Sequence, residues 1–499
     1  MLPELRAAYL NLPSWRGTAR FISSNYLKLL TLCFMVVFTR HQNGNCVGLN
    51  RVRTDALKAD LYQLKMAAGY FHHGLHTKRV SFELFVRELP AQRRFLLAAG
   101  LEHILAYLSN LRFGEAELDY LAHVPELRSA MTFEFQEFLR AFRFRGDVIA
   151  LPEGSVFFAN EPIVRITGTL LEAQLVETYL LSRINSESSV ASKAARIVHA
   201  AGSTEVVELG ARRASPEEAV AAARASYIAG FSGTSNMEAG YRYDIPLRGT
   251  AAHSWIMSHD TELEAFTNYV ATFPHHAILL VDTYETLQGT RRAIQAAGAK
   301  LGGVRLDSGD LRTLAPLVRR ELDAAGAKDA IIFASGDLNE YRISELRASG
   351  APIDAWGVGT EVVRPRDTST LGAVYKIVYD HGEDRPVAKF SQGKTTLPGL
   401  HQVYRTFRDA AAAHDTIGLP SEFHVDSVPQ LVEWMKDGRL VREIPSLSTV
   451  RAHARAQLSA LPTAVLDHTE DSAASAYEVR WSHGLKTLLE DVRSRTLHP

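Results

Sequence analysis

The sequence predicts an α/β protein: a βα barrel beside an α+β domain built from the N-terminal part and C-terminal segments. Three observations point there. Between about residues 205 and 380, short β-branched runs alternate with amphipathic helical stretches, a pattern that calls for parallel strands joined by right-handed crossovers. Six or more such units without a Gly-x-Gly-x-x-Gly fingerprint favour a barrel over an open sheet. The strand-like runs end mostly in acidic, hydroxylic or glycine residues, and in a barrel those ends gather at one mouth.

A chain of 499 residues is too long for one ordinary core. The expected organisation is an N-terminal extension over 1–50, an α+β domain over 51–185, the barrel over 186–380, and a C-terminal segment over 381–499 that packs on the N-terminal domain. Fifty-five Lys and Arg against 56 Asp and Glu give a formal net charge of −1, which argues against a large nucleic-acid footprint. The only cysteines, Cys33 and Cys46, cannot staple a chain this size, so a reducing, cytoplasmic setting is expected. The apolar run at 29–38 is too short to span a bilayer, and the Thr39-Arg40-His41-Gln42 that follows is a poor cleavage site. Residues 1–50 therefore read as an extension or a misassigned start rather than a targeting signal, and no membrane partner is expected.

The elements follow in order. Asp60 precedes Leu61, Leu64, Ala67, Ala68 and Phe71, whose spacing predicts a capped helix, with Tyr62 near its first turn. Residues 80–89 alternate apolar and polar as a half-buried strand does. Helices are expected over 91–108, 116–142 and about 172–200, and strands over 149–171. The last of these helices carries Lys193, Arg196 and His199. The barrel series then runs through 206–210, 277–281, 304–306, 331–333 and 353–356, and 374–378 is expected to close it. Pro316 suggests that the helix after Asp310 becomes regular only near Thr313. A basic, strand-like tail with Lys389, Lys394 and Arg405 follows, then a linker at 467–475 and a terminal helix over 477–497.

The chain is organised around residues 227–260, which hold two glycine-containing turns, GFSGTSN and RGTAAHSW. Such turns bring backbone N–H and hydroxyl groups close to a phosphate. The second presents Thr250 and His253, and a His beside such a loop can act as acid, base, ligand or nucleophile. The plain structural alternative is a capped turn with a solvated His. Arg212 can hold a phosphate bidentately, while Ser335-Gly336 and Gly357-Val358-Gly359-Thr360 can offer backbone N–H groups to another. Asp307 can hold sugar hydroxyls or reach a metal-bound diphosphate through water. Asp310 and Asp337 read equally well as helix caps. No His/Cys/Asp cluster has transition-metal spacing, so no direct metal ligand is assigned; Mg²⁺ bound through substrate oxygens fits best.

The motifs ADLYQLKMAAGYF, ELGARRA, GFSGTSNMEAG, RGTAAHSWIMSHD, VRLDSGDL, IIFASGDL and WGVGTEVV run in one order across residues 53–405. The chain thereby resembles the nicotinate phosphoribosyltransferases of the type II phosphoribosyltransferase group. The resemblance implies that nicotinate and 5-phosphoribosyl 1-diphosphate give nicotinate mononucleotide and diphosphate in NAD biosynthesis. ATP hydrolysis is coupled to this through a phosphohistidine, which falls on His253. It implies that Tyr62 and Arg305 stack on or pair with the pyridine acid, that Thr250 supplies a hydroxyl to it, and that Arg212 and Thr360 contact phosphoribosyl diphosphate. It also implies a homodimer with shared sites, Tyr62 entering the neighbour's.

Two positions bear on specificity. Similar enzymes that use nicotinamide carry an Asp where this chain has Ser235; a neutral residue there suits the acid. They also carry an aromatic where this chain has Leu209, so one stacking face is weaker here or Phe231 serves instead. The readings set against this one are a nicotinamide- or quinolinate-using relative and a non-catalytic nucleotide-binding or dimerisation protein on the same fold.

Overall fold

A computed structural model describes residues 54–497 except 276, 369, 393, 423 and 468–476. The apolar run at 29–38, both cysteines and most of the expected linker lie outside the described residues. Among the described residues no helix is long and apolar enough to cross a membrane.

Six strands form one parallel sheet in the spatial order Gly233–Thr234, Glu205–Glu208, Ala355–Val358, Ile331–Ala334, Leu301–Leu306, Ala277–Leu280. The first strand of the series along the chain, Glu205–Glu208, pairs with the last, Ala355–Val358, so the sheet curls as a barrel does. The two ends of the order, Gly233–Thr234 and Ala277–Leu280, are not paired with each other among the described residues. Leu247 forms a parallel bridge to Thr234 at that seam, and the turn with Thr250 and His253 follows it. Alternation of β-branched runs with helices such as Leu311–Ala324, whose Leu311, Ala315, Val318 and Leu322 are buried, seals the outer face. That helix starts at Leu311, two residues earlier than Pro316 suggested, because Asp310 caps it: its carboxylate accepts from the Arg312 N–H and the Thr313 hydroxyl.

The strand Ala373–Asp380 does not close the barrel series. It pairs antiparallel with Arg79–Val86 in a second, seven-stranded sheet whose neighbouring pairs are all antiparallel. Arg79–Val86 is also not half-buried: residues 80–86 are all buried. The polar positions that gave the alternation are satisfied inside. The Ser81 hydroxyl meets Thr167 at 2.6 Å, and Glu83 accepts from Arg165 and His401. Polar residues in a two-sided interior produce the same pattern as a solvated face, which is why periodicity misread this strand.

The N-terminal helix Leu61–His72 forms as expected, with the Asp60 N–H donating to Gln63 Oε1, although Leu61 itself is exposed. The longer predicted helices are broken: 116–142 becomes Glu115–His123 and Phe133–Ala141, and 91–108 is helical only from Leu101. Residue 185, the expected domain boundary, lies within the continuous helix Glu177–Ala201. The C-terminal chain serves both sheets. Val432–Lys436 extends the antiparallel sheet beside Asp147–Ala150, whereas helix Leu447–Ser459 packs on Pro216–Ala229 of the barrel layer. The final stretch is a strand, Glu478–Trp481, before the helix His483–Leu497.

Candidate active site

The C-terminal ends of the parallel strands carry the polar residues that the sequence singled out. Leu301–Leu306 places Arg305 at its end, and its guanidinium joins three elements. Nε donates to Ser335 Oγ at 2.9 Å, Nη1 to Thr250 Oγ1 at 2.9 Å, and Nη2 to Asp307 Oδ1 at 2.7 Å. The Ser335 hydroxyl donates in turn to Asp307 Oδ1 at 2.5 Å. Burial favours the neutral Asp307 carboxyl, but the Ser335 hydrogen bond and the Arg305 charge outweigh it and hold its pKa below the ordinary value. The carboxylate therefore stays ionised at the mouth. Its backbone N–H is fixed by Asp282 Oδ2 at 2.9 Å, which also accepts from the Ser308 hydroxyl.

His253 opens the short helix His253–Met257. Its Nδ1 lies 3.1 Å from Thr283 Oγ1 and its Nε2 lies 3.7 Å from Asp307 Oδ2. The ring is 40% exposed. A His steadied by a hydroxyl on one nitrogen and open on the other is arranged to receive a group. Sequence reasoning did not single out Thr283. The signal was its place directly after Asp282, just beyond the end of strand Ala277–Leu280.

Beside this node lies a cavity of about 230 Å³ lined by Arg212, Arg213, Arg305, Asp307 and Leu209. Its floor comes from two turns, Ser335-Gly336-Asp337 and Gly357 to Thr360. Glycine is required in both. Gly336 has φ +93°, and a Cβ there would meet the Asp307 carbonyl oxygen at 2.0 Å. A Cβ on Gly357 would meet Leu209 Cδ1 at 2.5 Å. Asp337 lines the cavity with φ +47° and is not a cap; Asn339 caps the helix that follows. Two arginines, two glycine turns and a hydroxyl make a cradle for an anionic group.

Three predicted residues stand elsewhere. Ser235 is exposed at the end of Gly233–Thr234, its N–H donating to the Glu208 carbonyl. The Glu208 carboxyl beneath is pushed up by burial, and it accepts from Thr234 Oγ1 at 2.5 Å. Phe231 corrects an expectation. It is fully buried in the hydrophobic core and does not line the cavity, so it offers no face to a ring there. Tyr62 does not line the cavity either. Its hydroxyl donates to Glu177 at 2.8 Å, and burial together with that carboxylate pushes its pKa up to about 12. Among the described residues no cluster of three His, Cys, Asp or Glu could hold a metal, but the carboxylates of Asp307 and Asp337 line the cavity. That donor set fits a hard cation held chiefly by oxygens of its substrate.

A curled parallel sheet with an arginine–carboxylate–histidine node and two glycine turns at its strand ends defines a type II phosphoribosyltransferase-like α/β enzyme fold. Family profiles agree. The nicotinate phosphoribosyltransferase N-terminal domain matches residues 57–185, and the quinolinate phosphoribosyl transferase C-terminal domain matches residues 190–370. A nicotinate phosphoribosyltransferase of Mycobacterium tuberculosis is 43% identical over 420 residues, covering 83% of this chain and 89% of that one. The nicotinate phosphoribosyltransferase of Bacillus subtilis is 42% identical, covering 70% and 73%. The crystal structure of human nicotinic acid phosphoribosyltransferase superposes with a TM-score of 0.75 at 29% identity, over 87% of this chain and 99% of that one. The chain belongs to the nicotinate phosphoribosyltransferase family.

Proposed function

We propose that this chain joins nicotinate to 5-phosphoribosyl 1-diphosphate, yielding nicotinate mononucleotide and diphosphate for NAD biosynthesis, in the cytoplasm. The observation that carries the reading is the Arg305 node, which ties Thr250, Ser335 and Asp307 together beside His253 and the anion cradle. The pyridine nitrogen attacks the anomeric carbon as the carbon–oxygen bond to diphosphate breaks. Positive charge grows on the ribosyl centre and negative charge on the leaving group. In this reading Asp307 answers the former, and Arg212, the Gly336 turn and the Gly359–Thr360 turn answer the latter; that all of them line one cavity supports it. Arg305 and Thr250 hold the nicotinate carboxylate. Asp307 and Asp337 are the residues that would hold a substrate-borne Mg²⁺, which would neutralise charge on the leaving group.

ATP is the third substrate in this reading. A His253 nitrogen attacks the γ-phosphorus, the bond to ADP breaks, and water later cleaves the nitrogen–phosphorus bond to release phosphate. With Nδ1–H donating to Thr283, the lone pair sits on Nε2, on the Asp307 side. Phosphorylation there adds about two negative charges next to Asp307, which repels that carboxylate from its present place and frees Arg305 for substrate. The exposed Tyr62 reaches the ring of a second copy, so the enzyme works as a homodimer with shared sites; Leu61 and Met66, exposed on the same helix, support an interface there.

The test is a product assay with phosphoribosyl diphosphate, Mg²⁺ and either nicotinate or nicotinamide, with and without ATP. Mononucleotide from nicotinate alone, increased by ATP, is the expected result. Product from nicotinamide overturns the substrate assignment, and product without any ATP effect overturns the phosphohistidine.

A further inference from the structure

Behind the two glycine turns lies a sealed cluster of charges that the chemistry above does not use. Lys193 and Arg196, three residues apart on one face of helix Glu177–Ala201, project into it with side chains 2% and 3% exposed. The Lys193 ammonium lies 2.9 Å from Glu340, 3.4 Å from Asp367 and 3.9 Å from Glu361. Arg196 reaches Glu340 at 3.0 Å and Asp367 at 3.1 Å. Arg93 clasps Asp367 with Nε and Nη2, at 2.8 and 3.2 Å. Three buried cations thus face three carboxylates, and the exposed Arg366 pairs with Glu361 at 2.9 Å. Asp367 is opposed by burial but held down to about 2 by Arg93, Lys193 and Arg196.

The positions of the carboxylates connect this cluster to the site. Glu340 is the first residue of the helix that leaves the Ser335-Gly336-Asp337 turn. Glu361 directly follows Thr360, in the short helix that leaves the Gly357–Thr360 turn, and Asp367 lies just past it. Lys193 is within 4 Å of all three. Burying six charges is costly, and an apolar replacement of equal volume usually matches such a cluster in stability. Its consequence lies in position: an ammonium with three donors fixes the origin of one turn relative to the other.

We propose that Lys193 is a positioning residue for the anion cradle, setting the spacing of the two phosphate-binding turns from behind. This rests on the reading of those turns as the phosphoribosyl diphosphate site. It assigns Lys193 no contact with substrate.

The experiment compares wild type, Lys193→Met, Lys193→Arg and Glu361→Gln. Phosphoribosyl diphosphate binding with Mg²⁺ is measured by titration calorimetry, KM for each substrate by steady-state assay, and folding by thermal melting. Lys193→Met is expected to weaken phosphoribosyl diphosphate binding about tenfold or more and to raise its KM in parallel. The KM for nicotinate should stay within about twofold, since a cluster that acts only as a staple would lower the active fraction without dividing the substrates. Lys193→Arg should recover part of the loss. Glu361→Gln, which removes the charge that Lys193 and Arg366 share at the second turn, should shift the same constant in the same direction by less, and it decides the matter if Lys193→Met does not fold. A folded Lys193→Met, or in its absence Glu361→Gln, with wild-type affinity overturns the inference alone, as does an equal loss for both substrates. A wild type that binds no phosphoribosyl diphosphate overturns the functional reading and the inference with it.

Discussion

Two of the arginine–carboxylate–histidine trios among the described residues, Arg165–Glu83–His401 and Arg305–Asp307–His253, share one chemistry but differ sharply in exposure. In the antiparallel sheet, Glu83 lies 2.5 Å from His401 Nδ1 and 3.1 Å from Arg165 Nε. His401 and Glu83 are 3% and 2% exposed, and the second His nitrogen faces the Pro398 carbonyl at 3.1 Å. At the barrel mouth, Asp307 lies 2.7 Å from Arg305 but only within 3.7 Å of His253. Those two side chains are 30% and 40% exposed. The sealed trio has every polar atom answered inside the protein. The open trio has an arginine held by three hydrogen bonds with further N–H donors to spare, and a histidine 3.7 Å from its carboxylate. Residue type alone does not mark a reactive site; the unanswered valence beside an engaged partner does.

The largest effect should come from breaking the sealed trio. His401→Ala leaves Glu83 buried with one partner fewer, and the fold should lose about 3–5 kcal/mol, read as a lower denaturation midpoint, while KM values stay unchanged. The pH dependence sharpens the point. Burial works to raise the Glu83 pKa, but the charge and hydrogen bond of His401 and then Arg165 prevail and lower it. A lowered carboxyl contributes stability that is present above its unfolded pKa of about 4.3 and is lost as pH falls through the folded value. Urea midpoints of wild type and Glu83→Gln should therefore differ most near pH 6 and converge below pH ~4. A gap that widens on acidification contradicts this assignment.

At the open trio the damage should fall on turnover instead. Arg305→Ala removes three hydrogen bonds from the node and should lower kcat/KM by about 10²-fold or more, with a melting point close to wild type. A comparable loss of stability there would erase the distinction between the two trios. His253→Ala should be milder. It abolishes ATP stimulation, a coupling expected at about 5- to 150-fold, and with it any acid-labile, base-stable phosphate on the protein. Turnover without ATP should persist. Full ATP-stimulated turnover in His253→Ala sinks the phosphohistidine.

The same contrast explains what was legible in the sequence. Five of the six strands of the parallel sheet were readable because each is a short apolar run followed by a local signal, and Arg305, Asp307 and Ser335 lie at or beside such ends; Gly233–Thr234 was not, because its two residues lie inside the GFSGTSN turn, while Thr250 and His253 were legible from the RGTAAHSW turn. Ala373–Asp380 gave the same local signal, yet its partner Arg79–Val86 is about 290 residues away along the chain, and pairing at that separation leaves no trace in periodicity. Glu83 was taken as a solvent-facing position for the same reason, since Arg165 and His401 are remote in sequence. Phe231 sits four residues before Ser235, close enough to suggest a shared site. Yet Phe231 is buried in the core and Ser235 is exposed.

The smallest effect expected is at Ser235, which belongs to neither trio and is held only through its backbone N–H. It is exposed, outside the cavity lining, and its own side chain is neutral. Ser235→Asp puts a second carboxylate where the proposed substrate brings one. Two like charges about 4 Å apart in a water-like surrounding repel by about 1 kcal/mol, or about fivefold in an equilibrium constant. The KM for nicotinate should rise by that factor and fall back toward wild type as ionic strength is increased, because exposed charges are screened. The KM for phosphoribosyl diphosphate should not follow. A change in both constants would mean that Ser235 acts through the Thr234–Glu208 hydrogen bond beneath it and not by its charge. No change in either would remove Ser235 from the nicotinate side of the mouth, leaving Arg305 and Thr250 to carry the selection of the acid.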